Sequence, residues 1–468
     1  MSIWDARFRL STVGIVIVIT MFAFEGMAVA AALPSAARDL HAVGSFGWTF
    51  TGFLIASIVG MVVCGQVSDS RGPRLPLLAG LVLFVAGLAV SGAATDMPML
   101  VLGRFVQGLG GGLLITVVYV VIGQVYPEQL HPKVFAATST AWVVPSLIGP
   151  FVSGLLAQHA SWRWVFLGLI PVGLIGCVLM APVLRSLHEP DQRAATKNVL
   201  HYAVAVAVAI AILERVGQNP PAVWLLVLAI VVALALLAWS LPSLVPTGTL
   251  SHVLPARFRR NARTVSGPVA MRALLSSSFF GVESLIPLMM QTQHGYGATL
   301  AGVCLTSGAI TWAAGSWWQG HFVAGDDIAG RKRLIRIGFA CVMVSAVLVA
   351  VVSQLTTNAW LIFPVWGIAG IGAGLTMSSF GVLLLRFTTD EERGADSASL
   401  QLADTTSTAI TTGFAGILVA AAARGSLGYS TAFTVLDIAM AVVATVGLLA
   451  AGRVAPREAT EPLPATVS

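Results

Sequence analysis

Runs of about twenty apolar residues recur along this whole sequence, and they limit its possible folds more than any other feature. A helix of that length crosses the roughly 30 Å hydrocarbon core of a bilayer with its backbone hydrogen bonds made internally, as a lipid surround demands. In the first third the runs lie near 12–33, 47–66, 75–95, 98–123, 134–157 and 163–184. In the last third they lie near 267–290, 298–323, 334–354, 359–385, 397–423 and 430–452. Two more, 199–216 and 221–243, stand between these sets of six and bring the expected number of spans to 14. The 199–216 run is short and ends in Glu214 and Arg215, so it also reads as an interfacial helix.

The charge content agrees: 10% of residues are charged and 57% hydrophobic, whereas a soluble domain is roughly 25% charged. The chain is therefore expected to be an all-α integral membrane protein. Its 47 glycines suit helices that pack closely through small residues, because lipid gives no hydrophobic drive for association. The net charge of +6 does not point to nucleic acid, since the basic residues are scattered through short segments between apolar runs. They act instead as topology signals. With the N-terminus inside, the inner segments hold Arg71, Arg74, Lys133, Arg185, Arg193, Lys197, Arg257, Arg259, Arg260, Arg263, Arg331, Lys332, Arg333 and Arg336. The outer ones hold little beyond Arg38, Arg163, Arg215 and Arg424, so both termini are expected in the cytoplasm.

Arg7 and Arg9, followed by apolar residues and the stretch Ala28 to Ala32, imitate a cleavable signal peptide, but the apolar run outlasts such a segment and reads as the first span. Cys64, Cys177, Cys304 and Cys341 all sit in or beside apolar runs with no paired spacing, so neither a disulfide nor a metal site is expected. The sequence lacks a phosphate-binding GxxxxGK[ST] loop and any evident catalytic grouping, which argues against an enzyme or direct use of ATP.

The two sets of six spans resemble each other. RFVQGLGGGLL at 104–114 is answered by WGIAGIGAGLT at 366–376, which aligns Gly108, Gly110 and Gly112 with Gly370, Gly372 and Gly374 at an offset of 262. RGPRLPLL from Arg71 is answered by AGRKRLIR from Ala329 at an offset of 258, and that offset carries Glu25 onto Glu283. Two acids within apolar runs thus hold corresponding places in two halves, as duplicated transporters often show.

A carboxylate at mid-bilayer is costly, so it normally faces a cavity or a partner. Glu25, Glu283 and Asp404 are read as such acids, as proton carriers, contacts for a cationic solute, or members of structural pairs. For Glu25 the structural partner would be Arg104, the basic residue in the middle of a first-half span. Arg272 lies 11 residues before Glu283, about 16 Å along a helix, too far for a simple pair. Asp404 shares a helix face with Gln401, a face that lines either water or another helix.

Several stretches resemble motifs of the major facilitator superfamily, and within it the 14-span drug:proton antiporters. GQVSDSRGPR resembles the superfamily's loop motif through Gly65, Asp69, Arg71, Gly72 and Arg74. Arg104, Gln107, Gly108 and Gly112 resemble its fourth-helix motif, and Pro145, Gly149, Pro150 and Gly154 the fifth-helix antiporter motif. SWRWVFLGLIPVG at 161–173 resembles the opening of the sixth helix, and EGMAVAAALP the first-helix motif, with Glu25 in place of the usual Asp. Pro145, Ser153, Leu169, Met27 and Ala30 depart from those patterns.

The resemblance implies two pseudo-symmetric six-helix bundles, 1–184 and 263–452, joined by a linker with two extra helices, 185–262, and followed by a disordered tail, 453–468. It implies a proton-coupled exporter of amphipathic or drug-like molecules that works by alternating access. Glu25 and Arg104 would then couple protons, with Glu283 and Asp404, the other two acids inside apolar runs, as further proton-coupling candidates on their placement alone; the loop motif would latch the halves, and the fifth-helix motif would shape their interface. Trp142, Phe279, Phe280, Trp312 and Gln401 would line the substrate cavity. Such a protein needs no cofactor beyond the proton gradient and would act as a monomer in a bacterial cytoplasmic membrane. Export of a specific lipid or metabolite, proton-coupled nutrient uptake, and a receptor without flux are the other readings.

Overall fold

In a computed structural model the chain is described at residues 2–127, 130–187, 199–244, 266–322, 328–354, 359–387 and 393–454. These residues form helices and no strand, as the apolar runs require. The first six spans are α1 (Ala6–Asp39), α2 (Phe46–Arg71), α3 (Arg74–Gly92), α4 (Met97–Val125), α5 (His131–His159) and a broken sixth, α6 (Arg163–Leu167) with α7 (Ile170–Ser186). Then come α8 (Leu200–Gln218) and α9 (Val223–Leu244). The last six are α10 (Ser266–Thr292), α11 (Ala298–Phe322), α12 (Ile328–Val352), α13 (Ile362–Phe387), α14 (Arg393–Ala423) and α15 (Tyr429–Ala450).

Thirteen helices among the described residues are long and apolar enough to cross a membrane, with α6 and α7 counted as one. The 29-residue α5 is of membrane length as well, about 43 Å at the helical rise, and completes the expected 14. The 199–216 run forms α8 as a continuous 19-residue helix of spanning composition.

Local sequence explains how these helices begin and end. Asp96 precedes α4 and its carboxylate accepts the Met99 N–H at 2.8 Å, satisfying one of the amides that a helix start leaves open. Gly72 closes α2 at φ 82°, a left-handed conformation that costs glycine little, so the chain reverses into α3 two residues later. The sixth span breaks at Gly168 and Leu169, and α7 resumes with Pro171 in its first turn, where a missing amide hydrogen is harmless.

The chain falls into two compact units. The first comprises Met1–Ser240, Glu283–Thr306 and Thr412–Phe433, and the second comprises Leu241–Val282, Ser307–Thr411 and Thr434–Ser468. The repeated glycine triads do the same work in each. On α4, a Cβ at Gly108 or Gly112 would strike the carbonyl oxygens of Phe53 and Ser57 on α2, while one at Gly110 would strike the backbone of Phe84 and Gly80 on α3. On α13, Gly370 and Gly374 face the carbonyls of Gly308 and Trp312 on α11, and Gly372 faces that of Gly338 on α12. One helix therefore packs against two neighbours through alternating glycines in both units. The internal repeat is a repeat of packing as well as of letters.

Candidate functional site

The deepest charged group lies in the first unit, where α1 meets α4. Glu25 is 0% exposed and Arg104 3%, and Arg104 Nη1 forms an ion pair with Glu25 Oε1. The same nitrogen donates to Gln107 Oε1 at 2.9 Å, and Arg104 Nε donates to the carbonyl of Thr49 at 2.9 Å. The guanidinium is thus held by three acceptors, from α1, α2 and its own helix. The carboxylate is held on one side only, because its Oε2 is buried with no hydrogen-bond partner among the described residues. An unmatched acceptor in a dry place is where a proton, a water or a polar ligand group gains most.

The other two acids expected from sequence fare differently. Asp404 on α14 pairs with Arg272 Nη2 on α10 at 2.8 Å and also accepts the Ser276 hydroxyl. This is a second ion pair, wholly within the second unit and less buried than the first. Glu283 on α10 is half-buried, and no ion pair or hydrogen bond reaches its carboxylate among the described residues. Arg272 is not its partner, in keeping with their separation along the helix. The repeat does not copy the Glu25 pair, since the glycine offset of 262 places Trp366 where Arg104 stands.

Trp142 on α5 stands edge-on to Phe22, 5.9 Å between ring centroids. It borders a small groove with Ile19, Ile115, Val118, Ile122, Tyr119 and Thr138, lined by apolar groups, two hydroxyls and no charge. In the second unit Phe279 packs 5.2 Å edge-on to Trp312 and 4.7 Å from Trp366. Phe280 lies 6.3 Å from Trp312. Phe279 and Trp366 are buried in this cluster, whereas Phe280 and Trp312 are only partly covered. Gln401 is half-buried one turn before Asp404.

The loop motif is described in part. Gly65 has open space around it, Arg71 is exposed, and Arg74 Nη2 donates to the carbonyl of Leu187 at 2.5 Å. The Asp69 side chain lies outside the described residues. On α5, Gly149 rests against Met27 and Ala28 of α1, and Ser153 donates to the Ala28 carbonyl. Gly154 sits against the Ala298 carbonyl, the Pro150 carbonyl sits against Gly302, and Gln158 accepts the Thr299 amide at 3.1 Å. Pro145 is buried in the same helix. This stretch is a close backbone contact between α5 and both α1 and the start of α11.

Sequence reading missed two buried acids. Asp437 on α15 is 3% exposed and its Oδ2 has no partner among the described residues; its position inside the last apolar run was the available signal. Glu214 on α8 is 1% exposed, although its place near the end of a short run suggested an interface. That burial is set by neighbours far away in sequence.

Residues 14–410 match the Major Facilitator Superfamily profile. The chain is 25% identical to Multidrug resistance protein 3 of Bacillus subtilis (strain 168) over 378 residues, covering 80% of this chain and 72% of that protein. It is 26% identical to the multidrug transporter protein MdtP of the same organism over 389 residues, covering 83% and 71%. Among solved structures it is similar in fold to a D-xylose–proton symporter, at TM-score 0.68 and 16% identity over 98% of this chain and all of that one.

Proposed function

This chain belongs to the major facilitator superfamily and is a multi-pass membrane transporter, and from that premise we propose that it exports amphipathic small molecules in exchange for protons. The observation that carries the proposal is the buried Glu25–Arg104 pair with one carboxylate oxygen left unmatched. Protonation of Glu25 would weaken its hold on Arg104, and release of that proton would restore it. A pair with two such states supplies the coupling that exchange requires, since a ligand can drive a change only through different affinity for the two states. The multidrug transporters among its relatives support the drug-like substrate class. The uncharged groove beside Trp142 favours an apolar or aromatic portion of the cargo.

In this reading Asp404 with Arg272, and Glu283 alone, are further stations for protons or cationic solutes. The aromatic cluster of Phe279, Phe280 and Trp312 forms part of the cavity wall, with Gln401 beside it. The loop motif from Gly65 to Arg74 latches one conformation. The protein works as a monomer in a bacterial cytoplasmic membrane with both termini inside.

The test uses purified protein in liposomes under an imposed pH gradient, wild type beside Glu25→Gln. Flux of a panel of lipophilic cations, neutral amphiphiles, acyl compounds and sugars is followed. Efflux-direction flux of an amphiphile that follows the gradient and is lost in Glu25→Gln is the expected result. Undiminished flux in the variant removes Glu25 from the coupling. Uptake of a sugar driven by the same gradient replaces export with symport.

A further inference from the structure

Glu214 occupies a site built for a carboxyl but not for a carboxylate. Its side chain reaches from α8 into a gap between α2 and α14, where Gly47, Gly413 and Gly416 stand against it. A Cβ at Gly47 or at Gly416 would collide with its Oε1. Larger residues at these places would close the gap. Its hydrogen-bond partners are neutral: Thr51 Oγ1 donates to Oε2 at 3.1 Å, and Gln218 Nε2 to Oε1 at 2.6 Å.

Among the described residues no cation forms an ion pair with it. α2 carries no charge near Gly47 and Thr51, its Asp69 and Arg71 lying at the far end of the helix; α14 carries none between Thr412 and Ala423, and α9 carries none at all. Arg215 is exposed on α8 itself, and Arg424, just past α14, is exposed and donates to the Gly217 carbonyl at 3.3 Å. Neither forms an ion pair with Glu214.

An ionised carboxylate within the membrane without a counter-charge costs several kcal/mol. A protonated one fits these partners without moving a heavy atom. The Gln218 amide donates to Oε1 in either state, and the Thr51 hydroxyl, which both donates and accepts, can turn to accept a hydrogen bond from the O–H that a protonated Oε2 carries. The route out is short. Gln218 is one turn on and Asn219, which follows it, is exposed, about 7.5 Å along the helix from Glu214.

We propose that Glu214 is a proton-binding site separate from the Glu25–Arg104 pair, seated where α8 docks on α2 and α14, with Gln218 and Thr51 as its positioning residues. The proton enters and leaves past Asn219. The ligand is the proton itself, and its use in a transport cycle rests on the proton-coupled reading above. The α8 helix then contributes more to the protein than a link between two bundles.

The binding of a proton can be read without any transport. Infrared difference spectra of the full-length protein in lipid nanodiscs, taken along a pH titration, resolve the C=O stretch of protonated carboxyl groups. We expect one such band to vanish in Glu214→Gln, to survive in Glu25→Gln, and to move in Thr51→Val. A Glu214→Gln spectrum that superimposes on wild type overturns the proposal. Should that variant fail to fold, an unmoved spectrum in Thr51→Val does the same. In liposomes, Glu214→Gln should keep gradient-driven flux with fewer protons per substrate, and an unchanged ratio removes Glu214 from coupling. If wild type shows no gradient-driven flux at all, the proton-coupled reading fails while the infrared band still decides whether Glu214 holds a proton.

Discussion

The guanidinium carbon of Arg104 lies 4.4 Å from the centroid of the Phe53 ring, so the cation that holds Glu25 rests on an aromatic face of α2. The arrangement uses what distinguishes arginine from lysine: a flat cation that stacks on one face while its edge donates to several acceptors. Three of those donations are made here, to Glu25, Gln107 and Thr49.

Removing Arg104 alone leaves a carboxylate with no partner in a dry site, and breaking a buried pair in this way costs about 3–5 kcal/mol. Arg104→Ala should therefore lower the thermal unfolding temperature of the detergent-purified protein more than the double variant Glu25→Gln with Arg104→Gln. Arg104→Lys should fall between wild type and Arg104→Ala, because lysine keeps the charge but loses the stack and the fork. Equal unfolding temperatures for Arg104→Ala and the double variant would show that the pair contributes nothing by its charges.

The glycine triads give a paired prediction. At Gly108 and Gly370 an added methyl meets the backbone oxygen of a neighbouring helix, Phe53 in one unit and Gly308 in the other. Backbone cannot rotate away as a side chain can, so each Gly→Ala change should cost about 1–3 kcal/mol, the range for overpacking. Gly123 and Gly381 lie in helices of the same sets with nothing within 4 Å of an added Cβ. Alanine there should be neutral or stabilising by a few tenths of a kcal/mol, since helix propensity favours it. Thermal unfolding of the four variants in one detergent decides it, and equal losses at all four positions would sink the packing argument.

Much of this was legible because lipid simplifies the code. An apolar run must be a helix, and the aligned glycine triads marked α4 and α13 as counterparts in an internal repeat, although their packing role appears only in the structure. The possible partnership of Glu25 and Arg104 was open to view because few charges lie in the first six spans. Partners from distant helices were hidden. Asp404 and Arg272 are separated by 132 residues, and no local pattern joins them. Glu214 was misjudged because a charge near the end of a run normally snorkels outward, whereas α2 and α14 close over this one. At Glu283 the repeat carries the acid but not its cation, since Trp366 holds the place that matches Arg104.

The Asp404–Arg272 pair can be tested apart from transport. Arg272→Gln leaves Asp404 with the Ser276 hydroxyl as its remaining donor, and Asp404→Asn leaves the Arg272 cation without its carboxylate. Each single change should destabilise the protein, and the double change should recover part of the loss, a coupling of about 0.5–3 kcal/mol for contacting groups. The pair is less covered than Glu25 and Arg104, so its coupling should be the smaller of the two. Thermal unfolding of the four-member cycle gives the number, and additive single losses would mean that the two charges do not depend on each other.

The contact of α5 with the start of α11 separates stability from turnover. Gly154 and Gly302 each stand where a Cβ would press into a carbonyl of the opposite helix, Ala298 and Pro150 respectively. Alternating access requires elements of a transporter to part and rejoin, and a backbone contact this close forms only when both surfaces are small. Gly154→Leu should block the approach in this state and leave the protein folded, because the helices can rest further apart in another. The expected signature is a drop of tenfold or so in transport rate, which corresponds to about 1.4 kcal/mol, with binding of a transported compound changed far less. Transport in liposomes and binding by fluorescence quenching, measured on one preparation, read both quantities. If Gly154→Leu loses binding and unfolding temperature together, the glycine is a packing residue of the resting fold; if rate alone falls, the contact is one that the cycle must make and break.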